Sequence, residues 1–187
     1  MDVKELINLI RYDFYRNTGG KSGLPSFIVA YMFVPSVRYL FWLRLAQYYK
    51  KHIIIFKMIR LLLKRYSYKF GYQIHPLADI GKGLHLRYIG MILVNPGAKL
   101  GNNVNIQAGA IIGQVNRGKN LGCPVIGDKV WIGAYAVIVG NITIGNNVLI
   151  APNSFVTESI PDNAVVSGNP AKIINFSGTK GYIENEV

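Results

Sequence analysis

The chain has 187 residues, half of them hydrophobic, with a single cysteine, Cys123, and a formal net charge of +12. Composition of this kind excludes a disordered chain, and one cysteine excludes an internal disulfide framework and suits a reducing compartment. The charge is lopsided: residues 1–70 carry 13 Lys+Arg and 3 Asp+Glu, residues 71–187 carry 8 and 6, which argues for two modules with different tasks. Met1 to Arg16 is charged and interrupted, so no secretion signal is visible and a cytoplasmic location is expected.

Residues 1–70 read as a helical, basic N-terminal module. Asp2 suits the N-cap of a helix running through Tyr15, and the Gly- and Ser-containing stretch from Asn17 to Gly23 reads as a loop. Leu24 to Val37 is uncharged but holds Pro25 and Pro35 and falls short of the roughly 20 residues a spanning helix needs. From Arg38 to Lys69, basic residues alternate with apolar clusters and with Tyr39, Phe41, Trp42, Tyr48 and Tyr49. That pattern suits either a helix lying on an anionic membrane surface, through residues 24–69, or a helical cap and oligomer contact whose charges are solvated. No nucleic-acid recognition motif accompanies the charge, so nucleic acid is not an expected partner.

From Ile74 onward an aliphatic residue recurs every six positions, in three runs: Ile74, Ile80, Leu86, Ile92; then Val94, Leu100, Ile106, Ile112; then Ile126, Ile132, Ile138, Ile144, Ile150, Val156. Gly follows at positions 81, 101, 113, 127, 133 and 145. A helix repeats near 3.6 and a half-buried strand at 2. A period of six belongs to a solenoid of short strands, each sending one aliphatic side chain inward to a continuous column. The breaks are equally informative. Between Ile112 and Ile126 the period gains eight residues, so the polar, basic segment 114–123 is expected to leave the coil as a loop, where sites are commonly built. Between Leu86 and Val94 it gains two, a slip within Arg87 to Leu93. The repeat stops near Ile160-Pro161 and Gly168-Asn169-Pro170, leaving a polar tail, 177–187, expected to be mobile.

The repeats, together with Gly145-Asn146-Asn147-Val148-Leu149-Ile150-Ala151-Pro152-Asn153-Ser154 and the terminal Gly168-Asn169-Pro170-Ala171-Lys172, resemble hexapeptide-repeat acyltransferases. Ile74-His75-Pro76, Gly81-Lys82-Gly83-Leu84 and Asn116-Arg117-Gly118-Lys119 are similar to the serine acetyltransferase branch, especially its capsule and exopolysaccharide members. The resemblance implies a mainly β chain: a left-handed parallel β-helix over 71–176, with the helical module before it. It also implies a homotrimer, acetyl-CoA in a groove between subunits, and O-acetyl transfer to a saccharide hydroxyl, with serine as the alternative acceptor.

Acetyl transfer to an alcohol needs a base for its proton and a donor for the developing oxyanion. The resemblance places the family's catalytic His at Tyr88, a carboxylate of the serine-specific members at Gln73, and two further His positions at Ala108 and Cys123. Three readings stay open: His85 replaces the missing base, Tyr88 takes part in an altered site, or the protein is a non-catalytic trimeric scaffold. For the cofactor, the resemblance points to Gly133, Ala134, Ala151 and Pro152 along the pantetheine and Lys172 at the nucleotide end; Arg117 and Lys119 are further positive candidates. Only His75 and His85 lie in the solenoid, so no metal is expected.

Overall fold

The computed structural model describes residues 2–20 and 23–187. Four helices come first: α1 (Val3–Thr18), α2 (Leu24–Phe33), α3 (Pro35–Tyr48) and α4 (Ile53–Phe70). The Asp2 carboxylate accepts from Glu5 N at 2.7 Å and so starts α1 as expected, and left-handed Gly19 and Gly71 end α1 and α4. The basic stretch after Arg38 is not one surface helix. Its first half, α3, is a core element that buries Tyr39, Leu40, Leu43, Arg44 and Ala46. Its second half, α4, is amphipathic, with Phe56, Ile59, Leu63 and Phe70 buried.

The period of six becomes a parallel β-helix with three faces. Face one stacks Tyr72–Ile74, Ile92–Val94, Ile111–Gly113, Val137–Val139 and Phe155–Val156. Face two stacks Asp79–Ile80, Lys99–Leu100, Val125–Ile126 and Thr143–Ile144. Face three stacks His85–Leu86, Asn105–Ile106, Trp131–Ile132, Leu149–Ile150 and Val165–Gly168, and ends in an antiparallel strand, Ala171–Asn175. The inward column is closed: Ile106, Ile112, Ile132, Ile138, Ile144 and Ile150 have no exposed surface. Ile126 pairs with Ile144 and Ile132 with Ile150, the stacking a repeat of 18 requires. The slip lengthens the first coil to 20 residues, since Ile74 pairs with Val94, Ile80 with Leu100 and Leu86 with Ile106.

Three edges join the faces, and they differ. The second edge, from face two to face three, carries a ladder in which each Asn or Asp side chain accepts a backbone N–H one coil below. Lys82 N donates to Asn102, Asn102 N to Asp128, Asp128 N to Asn146 and Asn146 N to Asp162, at 2.7 to 3.1 Å. Glycine is obligatory beside it: a Cβ on Gly101 would sit 2.3 Å from an Asp128 carboxylate oxygen and 2.6 Å from the Gly127 carbonyl carbon. The next residue at each turn, Asn103, Lys129, Asn147 or Asn163, is left-handed at φ 55–61, where Asn is the readiest non-glycine residue.

The helical module docks on this same edge. Arg44 pairs with Asp13 at 2.7 Å, both buried, and donates to the carbonyls of Ile80 and Gly81. Asp13 also accepts from Leu84 N. Arg16 donates to the carbonyls of Gly83, Asn103 and Glu184 and to the Asn105 side chain. The tail 177–187, expected to be loose, is packed there as well. Thr179 bonds Asn147, Val187 exchanges two bonds with Asn103, Lys129 pairs with Glu186 at 2.5 Å, and the Tyr182 ring packs edge-on against Trp131.

Candidate active site

The third edge, from face three to face one, is formed by turns 87–91, 107–110, 133–136 and 151–154, and by the 167–172 segment above them. Tyr88, Ala108, Gly133-Ala134, Ala151-Pro152 and Lys172, far apart in sequence, therefore rise along one edge in that order. The slip makes the lowest turn bulge: Tyr88 is 59% exposed, and Ile89 and Met91 are exposed beside it. The bulge is held at its base, where Tyr72 Oη donates to the Tyr88 carbonyl at 3.2 Å and Gly90 N to the Phe70 carbonyl at 3.0 Å. Two coils higher, Tyr135 is left-handed, 64% exposed, and lies over Gly109 of the coil between, where a Cβ would come within 2.4 Å of the ring. Sequence reasoning passed over Tyr135, Ile89 and Met91, although large apolar residues in turns that elsewhere hold Asn and Asp are a readable signal. Gly133 has a structural reason of its own, since a Cβ there would sit 2.5 Å from Pro152 N.

His85 does not join this edge. It lies on face three between inward Leu84 and Leu86 and faces outward as expected, but in among Arg16 and the Asn105 side chain, beside α1. Burial, then the charges of Arg16 and Arg87, push its pKa down to about 4, partly offset by its bond to Asn105. A group that weakly basic takes an alcohol proton poorly near neutrality. His85 thus stands on face three beside the docked helix, whereas Tyr88 stands on the third edge.

The cofactor set is also split. Segment 114–124 leaves the first edge, between faces one and two, as a small hairpin in which Val115 and Gly122 exchange backbone bonds at 3.0 and 2.9 Å. Its tip presents exposed Arg117 and Lys119 to solvent, while Asn120 ties its base to the Thr157 carbonyl at 2.8 Å. Cys123 closes the hairpin, its thiol 3.2 Å from the Asn95 side-chain oxygen, and burial pushes its pKa up. The first and third edges lie at opposite ends of the face-one strands. Arg117 and Lys119 therefore do not meet Gly133, Ala134, Ala151, Pro152 or Lys172 within one chain.

Comparison with known proteins follows the same lines. The family described as bacterial transferase hexapeptide (six repeats) matches residues 123–158. Serine acetyltransferase 4 of Arabidopsis thaliana is 38% identical over 121 residues, 64% of this chain and 34% of that one, so this chain spans about a third of that relative's length. The crystal structure of a Brucella abortus serine acetyltransferase in complex with coenzyme A superposes with a TM-score of 0.80 at 30% identity, covering 94% of this chain and 70% of that one. A Neisseria gonorrhoeae serine acetyltransferase in complex with serine gives 0.77 at 29%, covering 92% and 70%. The chain is a hexapeptide-repeat transferase. Within that superfamily it belongs to the serine acetyltransferase-like branch, and its fold is that branch's left-handed parallel β-helix behind a helical module.

Proposed function

We propose that the protein transfers an acetyl group from acetyl-CoA to a hydroxyl, with the cofactor lying along the third edge. The observation that carries this is the order of residues on that edge: Tyr88 at the bottom, small residues at 108, 134 and 151, and the cation Lys172 at the top. Four coil steps of about 4.8 Å span roughly 19 Å, which suits an extended pantetheine arm with its phosphates near Lys172. The Brucella relative bound to coenzyme A supports the choice of cofactor.

The thioester end then falls at Tyr88. A phenol is a weaker general base than an imidazole, so transfer in this reading is slow until a stronger base stands there. The acceptor we favour is a saccharide hydroxyl of surface polysaccharide synthesis, because Gln73, Arg87 and Tyr88 leave serine's ammonium without a carboxylate. Serine is the second reading, favoured by the Neisseria relative in complex with serine. Incubation with acetyl-CoA and each acceptor, read by thiol release, decides between them; release with neither supports a degenerate scaffold.

A second copy completes the site, since only a neighbour's hairpin brings Arg117 and Lys119 to this chain's third edge. The assembly in this reading is a homotrimer, and light scattering at a one-chain or two-chain mass contradicts it. The module's partner in this reading is the inner face of the cell membrane. α2 has no charged residue and exposes Leu24, Ile28, Val29, Met32 and Phe33, and α4 exposes Ile54, Met58 and Leu61 among its cations. Among the described residues no single helix is long and apolar enough to cross a bilayer, though Leu24–Phe33 and Pro35–Lys51 reach that length together across a 105° bend; the contact in this reading is peripheral. Flotation with anionic but not neutral vesicles at low salt is the expected result.

A further inference from the structure

A cleft of about 800 Å³ lies between α4 and the two lowest strands of face one. Lys57, Arg60 and Lys64 line it from one side of α4, at a spacing that puts all three on one helix face. Gln73, His75 and Asn95 line the opposite wall. No carboxylate lines the cleft, and none of the three cations is ion-paired among the described residues. The opposite wall presents donors. His75 Nδ1 accepts from Leu77 N, so its Nε2 carries the proton, and burial followed by the charge of Arg60 keeps the ring's pKa low. The Asn95 oxygen already accepts from Gly97 N and Cys123, which leaves its amide N–H groups as the free end. The Gln73 side chain is exposed within the same wall.

We infer that this cleft is a binding subsite for a phosphate or diphosphate ester and, because its polar wall lies at the first-edge end of the face-one strands, that the acceptor carrying that group is acetylated at the third edge of a neighbouring copy. The chemistry is one of three cations and several neutral N–H donors facing a volume large enough for a sugar phosphate, with no acid to repel it. The second clause rests on the acetyltransferase reading above; the first does not. Two sources fit the same chemistry, a soluble nucleoside-diphosphate sugar and a polyprenyl diphosphate held in a membrane.

Calorimetry with inorganic pyrophosphate on the full chain, at low salt and without turnover, tests the subsite alone. Saturable binding is expected, weakened at least tenfold in Arg60→Gln/Lys64→Gln, while affinity for coenzyme A stays within twofold. All the replaced side chains are exposed, and unchanged circular dichroism controls for folding. No binding, or binding that the double variant leaves intact, overturns the subsite. An equal loss of coenzyme A affinity overturns the assignment to the acceptor and gives the cleft to the cofactor. Uridine diphosphate in solution and polyprenyl diphosphate in neutral vesicles are then compared as competitors of pyrophosphate, and the stronger one names the source. If pyrophosphate binds but no acceptor is acetylated, the subsite stands and the acetyltransferase reading falls.

Discussion

The second and third edges of the coil come from the same six-residue unit and are finished in opposite ways. The second is sealed by a ladder of Asn and Asp side chains, by glycines with no room for a Cβ, by the docked helices and by the tail. The third has no such ladder and carries exposed Tyr88, Ile89, Met91 and Tyr135 over small residues. One edge spends its side chains on holding the coil together, and the other leaves them facing outward. The contrast teaches that a repeat sets where side chains stand, whereas the departures from it set what they do.

The largest effect expected from attacking the sealed edge comes from Asp13→Ala. It leaves Arg44 buried without its carboxylate, and about 3–5 kcal/mol of stability is lost in urea titration. A loss below about 1 kcal/mol would mean that the carbonyls of Ile80 and Gly81 hold Arg44 on their own.

His85 gives a pH test of which side it belongs to. Its folded pKa near 4 lies below the ordinary value of 6.5, so the fold favours the neutral ring. Stability is complete above about pH 6.5 and falls as the pH drops toward 4, by up to about 3 kcal/mol. His85→Gln removes that slope and leaves acetyl transfer unchanged; a loss of transfer would return His85 to the site.

On the open edge, Tyr88→His places an ordinary base at the thioester end. An increase in turnover on the order of 100-fold near neutral pH is expected, the usual worth of general base catalysis. An unchanged or lower rate would mean that the bulged turn does not face the thioester. The smallest effect is Asn146→Ala, which strips one rung of the ladder and orphans Asp128 N, for about 1 kcal/mol and no change in activity.

The coil was legible because burial fixes it. One aliphatic residue per strand must point inward, so the period, the pairing of Ile126 with Ile144, the slip after Leu86 and the departure of 114–123 could all be counted from sequence. The packing of the module was not, because nothing local marks Asp13, Arg16 and Arg44 as buried; Asp13 and Arg44 pair across 31 positions, and their backbone partners and those of Arg16 lie 36 to 168 positions away. The tail was misread for the same reason, the carbonyls of Val187 and Tyr182 and the Thr179 hydroxyl meeting Asn103, Asn105 and Asn147 of distant turns. The candidate site lay between these cases. The residues Ala134, Ala151 and Lys172 were readable from the resemblance, whereas the separation of Arg117 and Lys119 from them follows from which edge each turn occupies.

Coenzyme A calorimetry on three proteins tests the central claim, that the third edge is the cofactor's edge. The wild type, Ala134→Trp on that edge and Thr143→Trp on exposed face two are compared. The account predicts binding to the wild type, at least tenfold weaker binding to Ala134→Trp, and no change for Thr143→Trp. Full affinity in Ala134→Trp, or a loss confined to Thr143→Trp, would contradict it.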